Sequence, residues 1–235
     1  MKIIITGASS GVGFEAVLEL ILNNQNTVVA LARSKDKLQD LHKIAMELNP
    51  ECSLHHKQFD IIHDDYDAIL IPFIKKHLGS VDILINNAGA LINKPFEELT
   101  QLDFVTMLQH NFLSHIKMIQ SMLPFMNPNA HILNIGSMGG FQGSVKFPGL
   151  AAYSASKAAL HSLTECLAQE FSAYNNIRVN CLALGSAQTE MLETAFPNYK
   201  SPVMAYEMGK YIADFALTGN KFFNGKVIPV AVTTP

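Results

Sequence analysis

The 235-residue sequence contains no run of basic residues. Its 17 lysines and arginines against 20 acids leave a net charge of −3. That balance argues against nucleic acid or an anionic membrane surface as the main partner. No apolar stretch approaches the length of a membrane span, and AILIPFI at 68–74 is interrupted by Pro72. A strand beginning at Lys2 leaves no room for a secretory leader, so a cytoplasmic location is expected. Cysteine is scarce. Cys52, Cys166 and Cys181 are odd in number and widely spaced, which fits reduced thiols, with Cys166 and Cys181 expected in the core. The nine histidines show neither HExxH nor CxxC-type company, so no metal site is expected. No linker rich in proline or glycine and no repeat divides the chain, which reads as one domain over 1–235.

What is present is alternation. Apolar, β-branched segments occur at 2–8, 27–33, 53–61, 81–89, 130–137, 177–185 and 226–232. Helical patterns lie between them, including long ones at 101–126 and 152–174. The expected fold class is α/β: a three-layer, doubly wound parallel sheet of about seven strands, covered on both faces. The stretch 191–224 is the least sheet-like, and a substrate cap is expected around 186–224.

The first strand runs into TGASSGVG at 6–13. A turn between a parallel strand and its helix gathers backbone N–H groups at a positive helix end, which suits a phosphate. No Lys-Ser or Lys-Thr follows the last glycine, which excludes a P-loop. Alone, such a turn serves equally as a structural corner. The second strand ends at Ala32-Arg33-Ser34, with no acid to receive a ribose 2′-hydroxyl. Arg33 and Ser34 suit a 2′-phosphate, although Ser34 also reads as a helix cap.

Tyr153 and Lys157 stand four apart in an alanine-rich helical stretch, on one face. A phenol titrates near pH 10, and a neighbouring ammonium lowers that value. Lowering it by about three units requires roughly 4 kcal/mol in favour of the phenolate. Ser137 ends the fifth strand and Asn86-Asn87-Ala88-Gly89 the fourth, at the sheet edge where open α/β folds bind ligands. Asn111 sits among apolar residues, where a buried amide needs partners.

With TGASSGVG, Asp60, NNAG, Asn111, Ser137, YSASK at 153–157, and RVN followed by Gly185 and Thr189, the sequence resembles the short-chain dehydrogenase/reductase family. The resemblance implies a Rossmann-type sheet and a nicotinamide dinucleotide. Gly7, Ser9, Ser10, Gly11, Val12 and Gly13 would line its pyrophosphate and adenosine side. Asp60 and Ile61 would meet the adenine, Asn87, Ala88 and Gly89 the ribose, and Thr189 the nicotinamide or its phosphates. Tyr153 would be the general acid. Lys157 would bind the nicotinamide ribose and lower the Tyr153 pKa. Ser137 would hold the substrate oxygen, and Asn111 would anchor a relay water. The chain departs from the family in three places. The Ser137–Tyr153 loop is longer than usual, Leu184 replaces a common proline, and VIPVAVTTP lacks the usual Asp-Gly-Gly.

The expected activity is NADPH-dependent reduction of a ketone or aldehyde, with NADP preferred over NAD because of Arg33. The alternatives are an NAD-dependent alcohol dehydrogenase of the same family, or a nucleotide-sensing or interaction protein without turnover. The expected pocket rim comprises Leu91, Met138, Phe141, Phe147, Met191, Leu192 and Phe196. The apolar helices at 101–126 and 152–174 resemble the family's packing helices, so a homodimer or homotetramer is expected.

Overall fold

The structure, a computed structural model, describes residues 1–173 and 175–232. Seven strands form one sheet: β1 (Lys2–Thr6), β2 (Thr27–Ala32), β3 (Ser53–Gln58), β4 (Val81–Asn86), β5 (Met126–Ser137), β6 (Arg178–Leu184) and β7 (Val227–Val230). Their order is β3-β2-β1-β4-β5-β6-β7, and every pairing is parallel. β1 leads outward to β2 on one side, while β4 starts the other half beside it. The topological switch point therefore lies between the carboxyl ends of β1 and β4.

The helices are α1 (Gly11–Leu20), α2 (Lys35–Leu48), α3 (Ile71–His77), α4 (Gln101–Leu108), α5 (Ser114–Met122), α6 (Ala151–Ser172), α7 (Glu190–Ala195) and α8 (Ala205–Thr218). Two apolar cores sandwich the sheet. One gathers Ile3, Ile5, Val28 and Ala30 with Ala16, Val17 and Leu20 of α1, Leu38 and Leu41 of α2, and Ile212 and Ala216 of α8. The other packs Ile4, Val29, Leu84 and Ile132 against Ile74 of α3, Met118 and Met122 of α5, and Phe171 of α6. Successive residues of β1 thus feed opposite cores, as the two-residue period of a strand requires. α1 and α8 meet closely: a Cβ at Gly209 would lie 2.4 Å from Glu15 Cβ.

Several boundaries differ from the sequence reading. The helix expected over 101–126 is interrupted by a π-helical turn at Gln109–Leu113. It ends in a 3-10 turn at Leu123–Phe125, where Pro124 cannot continue an α-helical ladder. β5 consequently begins at Met126, and β3 stops at Gln58. α6 ends at Ser172; Tyr174, expected as its last residue, and residues 233–235 of VIPVAVTTP lie outside the described residues. Cys181 is buried, but Cys166 is exposed because it lies on the outer side of α6. Within 186–224, α8 buries Ile212, Ala213 and Ala216 in the core. No described helix is long and apolar enough to cross a membrane, and the described residues contain no cluster of three or more His, Cys, Asp or Glu side chains suited to a metal.

Candidate active site

A cavity of about 590 Å³ opens at the switch point. Gly7, Ser9, Ser10, Gly11, Val12, Gly13, Arg33, Ser34, Asp60, Ile61, Asn87, Ala88, Gly89, Asn111, Ser137, Tyr153, Lys157 and Thr189 all line it. The fold therefore brings every candidate residue to one place, although they lie as far apart as 7 and 189 in sequence.

The glycine turn is built for close approach. Gly7 and Gly11 have φ of +67° and +59°, which favours glycine. A Cβ at Gly13 would lie 2.2 Å from Asn87 Nδ2 and 2.6 Å from the Gly7 carbonyl. Asn87 Nδ2 occupies that space because it donates to the carbonyls of Thr6 (3.0 Å) and Gly7 (3.1 Å). The Thr6 hydroxyl in turn accepts from the Asn87 and Ala88 N–H groups, both at 3.0 Å. The NNAG backbone is thus bolted to the end of β1. Ser10, the N-cap residue of α1, makes no side-chain cap bond. The first N–H groups of α1 are left for a ligand, as a phosphate at a helix N-terminus requires. These residues fit the diphosphate of a dinucleotide.

Beyond the end of β2, Arg33 is exposed and in no salt bridge among the described residues. Ser34 caps α2, its Oγ accepting from Lys37 N at 3.4 Å. Asp60 Oδ1 accepts from the Ile62 N–H at 2.9 Å, which fixes its carboxylate at the cavity wall.

At the other end, Tyr153 is partly buried and Lys157 almost wholly so. Lys157 Nζ donates to the Ile135 carbonyl at 2.8 Å, and burial lowers its pKa to about 8. Burial raises the Tyr153 pKa, while the Ser137 hydroxyl bonded to it works in the opposite sense. The Lys157 ammonium bonds the Ile135 carbonyl, and desolvation of the phenolate is the larger influence on Tyr153. Ser137 Oγ also accepts from the Gly139 N–H at 3.1 Å.

The longer loop after Ser137 does not separate the pair. Ser144 Oγ donates to the Met138 and Phe141 carbonyls, and Lys146 Nζ bonds Ser144 Oγ at 2.7 Å and the Phe141 carbonyl at 2.5 Å. The extra residues are folded back on the turn that follows β5. Of the expected rim, Leu91, Met138, Phe147, Met191, Leu192 and Phe196 line the cavity. Phe141 does not; its ring faces His161 edge-on at 6.4 Å.

Asn111 lies in the π-helical turn and is fully buried. Its Oδ1 accepts from Ala90 N and its Nδ2 donates to Ala90 O, both at 2.9 Å, with a further bond to Ser156 Oγ at 3.0 Å. Both amide hydrogens are engaged, so the side chain braces the NNAG loop. Sequence reasoning missed His115, one helical turn further on. Its Nε2 donates to the Ala88 carbonyl at 2.7 Å, and burial, with the Lys157 charge second, lowers its pKa to about 3. The Asn-x-x-x-His spacing was the available signal. His110, Lys37, Glu190 and Tyr199 also line the cavity unanticipated.

The doubly wound sheet with this cavity at its switch point defines a Rossmann-type dinucleotide-binding protein. Residues 1–200 match the family model described as short chain dehydrogenase. An uncharacterized oxidoreductase of Staphylococcus saprophyticus is 34% identical over 194 residues, covering 81% of this chain and 76% of that protein. An uncharacterized oxidoreductase of Staphylococcus aureus is 28% identical over 229 residues, covering 97% and 95%. Among solved structures, a short-chain dehydrogenase/reductase from Serratia marcescens superposes with a TM-score of 0.84 at 26% identity, covering 97% of this chain and 95% of that one. A variant of actinorhodin polyketide ketoreductase, solved with NADPH, shares the fold with a TM-score of 0.83 at 23% identity, covering 98% and 95%. The chain belongs to the short-chain dehydrogenase/reductase family and is an oxidoreductase.

Proposed function

We propose that this enzyme works in the cytoplasm, reducing a ketone or aldehyde to an alcohol with NADPH. The observation that carries the reading is that one cavity has Ser137, Tyr153 and Lys157 at one end and Arg33 at the other. The nicotinamide cofactor supplies the hydride when bound. Ser137 holds the carbonyl oxygen, and Tyr153 gives that oxygen a proton. Burial keeps the Tyr153 phenol in its neutral, donating form. Lys157 supplies positive charge beside it, and the Asn111 and His115 bonds hold the loop over which the cofactor lies. Arg33 and Ser34 receive the 2′-phosphate. Met138, Phe147 and Leu192 offer an apolar flank to the substrate.

The test is NADPH and NADH oxidation with a panel of carbonyl compounds. Faster turnover with NADPH supports the reading. A clear NADH preference overturns the role of Arg33, and cofactor binding without turnover overturns the reductase. The same proposal includes a second copy of the chain as partner. Leu102, Val105 and Leu108 on α4, with Leu113 beyond it, expose an apolar stripe that a homodimer would cover. Light scattering at a single-chain mass would overturn that part.

A further inference from the structure

Lys37 is one turn into α2, beside Arg33 and Ser34, and lines the same cavity. Its Nζ does not point away from the site into solvent alone; it pairs with Glu190 Oε2 at 2.8 Å. Glu190 opens α7, in the segment that lines the cavity opposite the glycine turn. There Thr189 stands against Gly11, 3.3 Å from where a Cβ would be. Lys37 and Glu190 border both the main cavity and the shallow groove of about 290 Å³ beside it. Ser9, Ser10, Gly11 and Thr189 border both as well, so the ion pair sits on the wall the two share. At its far end α7 is tied independently, Asn93 Nδ2 donating to the Ala195 carbonyl at 2.7 Å. Asp40 lines the groove as well, but among the described residues only Glu190 forms an ion pair with Lys37.

The pair is weak by construction. Its side chains are 47% and 71% exposed, so water and salt screen it strongly. A phosphate monoester carries up to two negative charges and three acceptor oxygens, and a lysine prefers it to a single exposed carboxylate. We propose that Lys37 is a second cation for the cofactor's 2′-phosphate and that Glu190 competes for it. Binding of the phosphate and release of the α7 end of the cap are then a single exchange. NADH, with no 2′-phosphate, leaves the pair closed. The inference rests on the 2′-phosphate reading of Arg33 and adds to it a residue from the cap that sets the preference.

Adenosine 2′,5′-bisphosphate and 5′-AMP differ only in the 2′-phosphate, and calorimetry on the cofactor-free enzyme compares them without catalysis. Lys37→Met is expected to weaken the bisphosphate roughly fivefold to tenfold and leave 5′-AMP unchanged. Glu190→Gln is expected to tighten the bisphosphate severalfold, and to have no effect once Lys37 is Met. Hydrogen exchange at 190–195 should accelerate with the bisphosphate and not with 5′-AMP. An unchanged ratio in Lys37→Met, with a ratio that collapses in Arg33→Ala, overturns this inference and leaves the Arg33 reading standing. No bisphosphate preference in the unmodified enzyme overturns both.

Discussion

Asn111 and Ala90 exchange two hydrogen bonds of 2.9 Å each, a side-chain amide pairing with a backbone unit as a neighbouring strand would. The amide is fully buried, so its removal strands a backbone N–H and C=O where water does not reach. Asn111→Ala is expected to cost about 2–4 kcal/mol of stability, from several orphaned polar groups at about 1 kcal/mol or more each. Urea unfolding measures it. Asn111→Asp keeps the acceptor but turns a second oxygen toward the Ala90 carbonyl in a fully buried place, and should cost at least as much as Asn111→Ala. A loss under about 0.5 kcal/mol for Asn111→Ala, the range of ordinary surface changes, would refute the bracing role.

The glycine turn makes a sharper steric prediction. Gly13 leaves no space for a methyl group beside Asn87 Nδ2, and the obstructing amide is itself held by two carbonyls. Gly13→Ala should therefore displace Asn87 and spoil the N-terminal turn of α1. NADPH affinity is expected to fall by about tenfold or more, equivalent to roughly 1.4 kcal/mol. The double variant Gly13→Ala, Asn87→Gly removes the side-chain half of the obstruction and leaves the Gly7 carbonyl at 2.6 Å. It should accommodate the methyl group better than the single change does, as read by thermal unfolding.

Acid sensitivity follows from three buried histidines. Burial lowers His115 to about 3 and both His131 and His161 to about 4. His131 shows why a proton is unwelcome: its Nδ1 donates to the Ala216 carbonyl at 2.9 Å, and its Nε2 accepts from Asn180 Nδ2 at 3.1 Å. Each group is neutral in the folded chain and takes a proton near pH 6.5 in the unfolded one. Stability is then fully present above about pH 6.5 and is lost as pH falls toward about 4, by on the order of 3 kcal/mol for a shift of this size. Unfolding free energy measured from pH 7.5 to 4.5 should decline with the slope of proton uptake. His131→Gln should start lower at pH 7.5 and decline less steeply, by about one proton's worth.

The sheet was legible because buried parallel strands are written as unbroken apolar runs, and Ile3, Ile4 and Ile5 need no periodicity to be read. The candidate residues were legible because glycines, NNAG and the Tyr153–Lys157 spacing are local patterns. What escaped is either non-local or a change of helical pitch. Lys37 and Glu190 are 153 positions apart, and nothing in either neighbourhood announces the other. The π-helical turn that carries Asn111 adds one residue to a helix without disturbing its apolar pattern enough to be seen. Burial of Tyr153 was equally invisible, and it raises the phenol pKa while the Ser137 hydrogen bond lowers it.

Lys157 should set the alkaline limit of the reaction. Burial brings its ammonium to about 8, so it is charged below that pH and neutral above. If its charge assists Tyr153, kcat/KM for the cofactor is flat below about pH 8 and falls by about tenfold per unit above it, the form expected for one essential protonated group on the free enzyme. Lys157→Arg replaces the ammonium with a guanidinium that does not deprotonate. Its plateau should be lower, because the larger head cannot repeat the 2.8 Å bond to Ile135, but the fall near pH 8 should vanish. Tyr153→Phe separates the two contributions. It should lower kcat by about 100-fold or more at every pH, since the proton donor is gone, while NADPH affinity stays within about twofold. An alkaline limb that persists in Lys157→Arg would assign the ionisation to Tyr153 itself, and an unimpaired Tyr153→Phe would remove the phenol from the reaction.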